Sequence, residues 1–558
     1  MIRCSTLALL LLVGSGLAHA AADVVFVGGT IHTLAGGSPS TVEALAIEDG
    51  AVVAAGDRSD VEDHVDDTTR VVELAGRTVI PGLVDAHAHL GGLGAALARV
   101  DLRGARSAQE CVERARAVHA ELPDGVWLLG RGWDQNDWDD TSFPDRSLLD
   151  EAFGDRPVRF TRVDGHASWV NTAALRRAGI DADTPDPEGG EIVRDPSTGE
   201  ATGILVDTAE RLVGAAIGEP DAAEIERRYR RAVRACVELG ITGVHDMGVS
   251  LEELAVLRRG EREGWLDLRV VVYLAGDETL AAHEGGRAGL EPSSHVRVEG
   301  VKLYADGALG SRGAALLEDY ADRPGHRGLL IQEPAVLQQK IERVFARDLG
   351  LAVHAIGDRA NRIVLDRIVA AHAALTDRGV DVAPLSSLHA RIEHAQIVHP
   401  DDLHRFAEHG ILPSMQPTHC TSDMPWAPDR LGEERLEGAY AWRTLRDLGC
   451  IVPLGSDFPV EEASPWLGLY AAITRQTPEG HPPHGWSPEQ SLTPLEALLG
   501  FTVWPARAIA ASAWGSLQPG ARADLVVVDR DPLAVDAPDL LDATVRLTMV
   551  DGEIVFER

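Results

Sequence analysis

Short apolar, β-rich runs crowd both ends of the chain. At the start they cover 24–31 and 44–55, the latter turning at Asp49-Gly50; at the far end they cover 523–529 and 545–556, turning at Asp551-Gly552. Hairpins this short need further partners to be stable. The pattern therefore predicts one small β-sandwich composed of both chain ends, roughly 21–75 plus 515–558. Between the ends, strand-like runs at 79–85, 241–245, 268–273, 296–304, 351–354, 391–393, 411–415 and 451–456 alternate with helix-like stretches such as 223–239. About eight such units predict an α/β fold, a TIM (β/α)8 barrel over 76–514. Residues from about 101 to 219 break the rhythm and read as an insertion after the first unit.

Composition narrows the picture. A chain of 558 residues is too long for one core, and its 45% of hydrophobic residues gives ample core material. The formal charge of -35 argues against nucleic acid and anionic membrane surfaces as partners, though acidity alone identifies no substrate. Residues 1–20 carry Arg3, an apolar core over 7–13 and Ala18-His19-Ala20, which together predict a signal peptide and export to the periplasm or beyond the cell. After its removal no stretch is long enough for stable membrane insertion. Cys111, Cys236, Cys420 and Cys450 show no Cys-x-x-Cys spacing, so buried free thiols or one isolated bridge are both open.

Candidate chemistry begins at Pro81-Gly82-Leu83-Val84-Asp85-Ala86-His87-Ala88-His89. Side chains two apart on a strand share a face, so His87 and His89 form a two-imidazole clamp for a metal ion, unless they are ordinary histidines near a turn. Lys302, His354, His394 and Asp457 each stand where an apolar run stops, the position at which a TIM barrel carries its functional groups. Lys302 and Lys340 are the only lysines in the chain. An ammonium is costly to bury, whereas capture of carbon dioxide converts lysine into an anionic carbamate able to bridge two cations. The alternative is an ion pair with Asp306 or another carboxylate. In the insertion, 130–138 and 164–171 mix aromatics, glycines and polar groups. These suit a substrate lid, or else a self-contained unit whose Trp133, Trp138 and Trp169 build its own core.

These residues, with the blocks 301–312, 353–358, Ile392-Glu393-His394 and Gly455-Ser456-Asp457, resemble the amidohydrolase superfamily and specifically its N-substituted formamide deformylase-like branch. The resemblance spans essentially the whole mature chain, the insertion included. It implies a distorted barrel with one or two divalent ions, usually zinc. His87, His89 and Asp457 would hold the first, His354 and His394 the second, with carboxylated Lys302 between them. It also implies hydrolysis of a non-peptide C–N bond, amide or formamide-like, by metal-activated hydroxide, with Asp457 as catalytic base and then acid. Trp133, Asp134, His166, Asp306 and Arg312 are candidate substrate contacts, with structural roles equally open. An ester, a lactone or a short peptide would suit the same site, and a non-catalytic metal-binding relative is the reading from another class.

Overall fold

The computed structural model describes residues 21–276, 280 and 295–558, so the expected signal peptide lies outside the described residues. In chain order the strands are β1 (Val24–His32), β2 (Thr41–Glu48), β3 (Ala51–Gly56), β4 (Arg70–Glu73), β5 (Thr78–Pro81) and β6 (Leu83–Ala88). The insertion follows with β7 (Val100–Asp101), β8 (Leu128–Trp133), β9 (Val158–Arg162), β10 (Ala167–Val170), β11 (Gly190–Arg194) and β12 (Ala201–Asp207). Then come β13 (Ile241–Val249), β14 (Arg269–Ala275), β15 (Val296–Tyr304), β16 (Gly350–Ala355), β17 (Ala390–His394) and β18 (Leu412–Ser414), and finally β19 (Leu525–Val528), β20 (Val545–Val550) and β21 (Glu553–Glu557).

Strands β6 and β13–β18 form a seven-stranded parallel sheet in the order β18-β17-β16-β15-β14-β13-β6. It is nearly closed into a barrel. Residues 451–456, where the sequence pattern predicts a strand, run between β18 and β6. Met415 N–H donates to Pro453 O (3.0 Å), Gly455 N–H to Met415 O (3.1 Å) and Ala86 N–H to Leu454 O (3.0 Å). Pro453 has no N–H to offer, which limits this segment to a broken ladder.

The run 79–85, read from the sequence as one buried strand, is divided between two sheets. β5 belongs to the sheet of the chain ends and β6 to the barrel, with Gly82 as the joint. Its N–H donates to Asp524 O (2.8 Å), and a Cβ there would stand 2.1 Å from Thr242 Oγ1. Only glycine permits so close an approach.

Both chain ends share one eight-stranded sheet, ordered β21-β20-β19-β5-β1-β2-β3 with β4 also on β1. Phe26, Leu45, Ile47, Leu525 and Met549 pack on it. Strands β7–β12 form a separate six-stranded sheet whose core includes Trp133, Trp138, Phe160 and Trp169. The helix Ala222–Glu238 buries Ile225, Tyr229, Val233 and Cys236 at helical spacing, and the Asp221 side chain caps it by accepting from Glu224 N–H (2.8 Å). Cys111, Cys236, Cys420 and Cys450 are free and buried, so the isolated bridge is not made. Among the described residues no helix is long and apolar enough to cross a membrane.

The C-terminal strands also hold the buried Arg269, through Asp524 (2.6 Å) and Asp551 (2.7 Å). Breaking one buried ion pair costs about 3–5 kcal/mol. A chain ending at Gly520 loses both carboxylates and the partner of β5, and should melt lower than the full chain by roughly 10 °C or more in calorimetry. Unchanged melting would show the chain ends to be independent.

Candidate functional site

At the C-terminal ends of the barrel strands, polar side chains converge where the interior would otherwise be apolar. One ligand-capable atom from each of His87, His394 and Asp457 lies within 4.8 Å of the others, and all three residues are buried. His87 Nε2 and His89 Nε2 face Asp457 Oδ1 at 3.4 and 3.1 Å. Lys302 Nζ lies 3.4 Å from His87 Nε2. The His354 ring centre is 4.5 Å from that of His394, which in turn is 4.7 Å from that of His87.

Outer partners set the direction of each imidazole. His87 Nδ1 donates to Glu393 Oε2 (2.5 Å), His89 Nδ1 to Met247 O (2.8 Å) and His394 Nδ1 to Gln416 Oε1 (2.8 Å). Each ring therefore points its Nδ1 proton outward and turns Nε2 to the interior; burial lowers His89, but the facing Asp457 carboxylate outweighs it and raises that ring above the ordinary histidine value. Glu393 is itself gripped by Arg391, whose guanidinium also donates to Ala86 O (2.6 Å) and to Ser414 Oγ and contacts His245 Nδ1 (2.8 Å).

Protonation states suit metal binding. Burial, aided by the charge of Lys302, drives His354 down to about 3, and burial likewise holds His87 and His394 below the ordinary histidine value. Burial raises Asp457, but the imidazoles of His87, His419 and His89 outweigh it and hold the carboxylate well below its usual range. Burial lowers Lys302 to about 8 against the pull of Glu393 and Asp457. No carboxylate stands within ion-pair distance of Lys302 Nζ among the described residues. The alternative partner, Asp306, instead accepts backbone N–H groups of Ala315 (2.8 Å), Ile356 (3.0 Å) and Gly357 (2.9 Å).

The donor set fits a divalent cation. Asp457 Oδ1 and His354 Nε2 are buried without a hydrogen-bond partner, an arrangement costly to leave unsatisfied. Ligands on a tetrahedral ion stand roughly 3.4 Å apart, close to the separation of His87 and Asp457. The compact group joins His394 to His87 and Asp457, so it crosses the division into two sets that the resemblance implies. His394 (φ 72°) and Asp457 (φ 61°) adopt left-handed backbone conformations, strain of the kind that gathers at functional sites.

The expected substrate contacts scatter. Trp133 is fully buried in the core of the insertion with its indole N–H on Phe160 O (2.8 Å), so no face of it is open to a bound molecule. Asp134 pairs with Arg162 (2.6 Å), exposed His166 with Asp207 (2.8 Å), and Arg312 with Asp322 (2.6 Å). Asp306 anchors backbone, as above. Sequence inspection passed over His419, whose Nε2 is 3.2 Å from Asp457 Oδ2 and whose Nδ1 is 3.6 Å from Glu461. It follows β18 by five residues, on a short helix (Pro417–Asp423), and its only signal is that place at a strand's C-terminal end.

Comparison with known proteins gives consistent matches. A family model described as "Amidohydrolase family" matches residues 70–556. Amidohydrolase YtcJ of Bacillus subtilis (strain 168) is 32% identical, covering 95% of this chain and 99% of its own. N-substituted formamide deformylase of Arthrobacter pascens is 29% identical, covering 96% and 98%. The crystal structure of an uncharacterized metal-dependent hydrolase from Pyrococcus horikoshii OT3 superposes with a TM-score of 0.73 at 31% identity, covering 92% of this chain and 99% of the other.

Two outcomes follow from the geometry. Glu393→Gln should weaken zinc binding about 10- to 100-fold, read by competition with a chelating dye, because His87 loses its anionic partner. Between roughly pH 6.5 and 3 the unfolded chain protonates His354 while the folded chain does not, so stability falls as pH drops through that window. Metal-free protein should show this in its melting temperature from pH 7 to 4, with a shallower slope in His354→Asn. An equal slope in the variant would refute the assignment.

Proposed function

Because the chain belongs to the amidohydrolase family, we propose that it is a metal-dependent hydrolase that cleaves a non-peptide C–N bond, amide or formamide-like, of a small molecule. The observation that carries this reading is the buried His87–His394–Asp457 group, with unprotonated ligand atoms at the C-terminal ends of barrel strands. His89, His354 and a carboxylated Lys302 would complete a centre for one or two ions, zinc being the ion best matched to imidazole and carboxylate.

A bound divalent ion supplies carbonyl polarisation and water acidified to near neutrality. The chain's own groups do the rest. Asp457, held ionised, accepts the proton of the attacking water and returns it to the leaving nitrogen. His419, against Asp457 Oδ2, fixes the orientation of that carboxylate. Glu393 and Gln416 keep the imidazoles turned inward. The eight-stranded sheet and the insertion act as accessory units around the barrel, and export through residues 1–20 would leave a mature chain beginning near Ala21.

The zinc-loaded protein screened against amides, formamides, esters and dipeptides tests the reaction. Turnover of the C–N substrates that chelator abolishes and zinc restores supports it, and an exclusive preference for esters would overturn it. The lysine has its own test. Arginine keeps the positive charge but stays protonated, so it cannot form a carbamate. Lys302→Arg should lose metal and activity, whereas Lys302→Ala should recover part of both with added propionate. An arginine variant with normal metal content and rate would rule the carbamate out.

A further inference from the structure

Where the insertion meets the barrel, the end of the helix Leu90–Leu97 and the helix Ala222–Glu238 bound a crevice of about 90 Å³. Arg99, Arg227, Arg228 and Arg231 line it with one carboxylate, Glu224, and with the apolar Trp127 and Leu129. The Arg177 guanidinium reaches over Trp127, 6.0 Å from its ring centre. On the adjoining sheet Leu129 lies opposite Arg159, and Arg131, two residues on, shares that face.

Counter-charge is short here. Glu224 serves both Arg227 (2.7 Å) and Arg228 (3.0 Å), while the side chains of Arg99 and Arg231 make no hydrogen bond or ion pair among the described residues. The chain carries 87 Asp and Glu against 52 Lys and Arg, yet only Glu224 lines the crevice, and Glu210 reaches Arg159 (3.4 Å) on the adjoining sheet, so the guanidinium groups outnumber their carboxylates. Burial, then the charges of Arg131, Arg159 and Arg228, lower the pKa of Arg99, as expected where positive charge is in excess. A guanidinium fork matches the two oxygens of a carboxylate or phosphate, and the crevice has room for such a group. We propose that this crevice binds an oxyanion, the carboxylate or phosphate group of a small molecule, at a place distinct from the metal centre. Nothing in this assignment depends on the hydrolytic reaction.

The test is calorimetric titration of the full-length, zinc-loaded protein with inorganic phosphate or succinate, at ionic strength fixed with chloride. Phosphate also has access to the metal centre, so the comparison between variants carries the reading. Arg99→Gln/Arg231→Gln should weaken binding of the anion about tenfold or more, because charge-assisted hydrogen bonds are lost. Glu224→Gln should tighten it severalfold by releasing Arg227 and Arg228, an effect that a misfolded variant cannot imitate. Heat from phosphate alone identifies a phosphate group, and heat from succinate a carboxylate. No heat beyond chloride, undiminished binding in the double variant, or unchanged affinity in Glu224→Gln would each overturn the assignment.

Discussion

The Glu393 carboxylate, fully buried between the guanidinium of Arg391 and the imidazole of His87, is the interaction on which the rest of the barrel interior depends. Burial alone would push its proton affinity up, but Arg391 and His87 hold it ionised, well below the ordinary range. Once anionic, it fixes His87 from outside while Arg391 reaches across to Ala86 O and Ser414, tying β17 to the strands on either side of the closure. Removing one member leaves the other charge in a place where water cannot reach it, at a cost of about 3–5 kcal/mol. Orientation of the first imidazole and closure of the barrel are thus one constraint.

Charge balance around that constraint bears on Lys302. With Lys302 as an ammonium, the four charged groups next to His87 balance, Arg391 and Lys302 against Glu393 and Asp457. Adding a doubly charged ion upsets this balance, and turning the ammonium into a carbamate removes the same two units of charge. Burial has already lowered Lys302 to about 8, so the neutral amine that reacts with carbon dioxide is accessible near neutral pH. The proposed carbamate therefore offsets the charge of a first ion without any change elsewhere in the interior.

Much of this was legible in the sequence because strands buried on both faces are written as continuous apolar runs, and the polar residue that ends each run lies at the barrel mouth. Lys302, His354, His394 and Asp457 were found in that way. The division at Gly82 was hidden because β5 and β6 have the same apolar texture although they serve different sheets. Glu393 stood inside a quoted motif, but its role depends on Arg391 two residues away turning to the same side, and on His87 more than three hundred residues away. His419 was missed because a helix, not a strand, delivers it. Trp133 stayed open between lid and core because an aromatic among glycines and polar groups reads alike in both, and its burial with the indole N–H on Phe160 O places it in the core.

The loop carrying Asp457 shows how the strain at the site is held. Asp457 has a left-handed backbone, a conformation costing roughly 1–2 kcal/mol for a residue with a side chain. Hydrogen bonds on both sides leave it no easier choice. Asp457 N–H donates to His87 O (2.7 Å), and just before it Asp85 accepts from Ser456 N–H (3.1 Å) and Ser456 Oγ (2.6 Å) as well as from His87 N–H (3.1 Å). A Cβ on Gly455 would come within 2.5 Å of His87 N, so the two segments meet at backbone distance. Asp85 is two residues before His87, and Ser456 immediately precedes Asp457. One carboxylate therefore sets the spacing between the first imidazole and the carboxylate opposite it, which gives the aspartate of the opening motif a part in the site beside its two histidines.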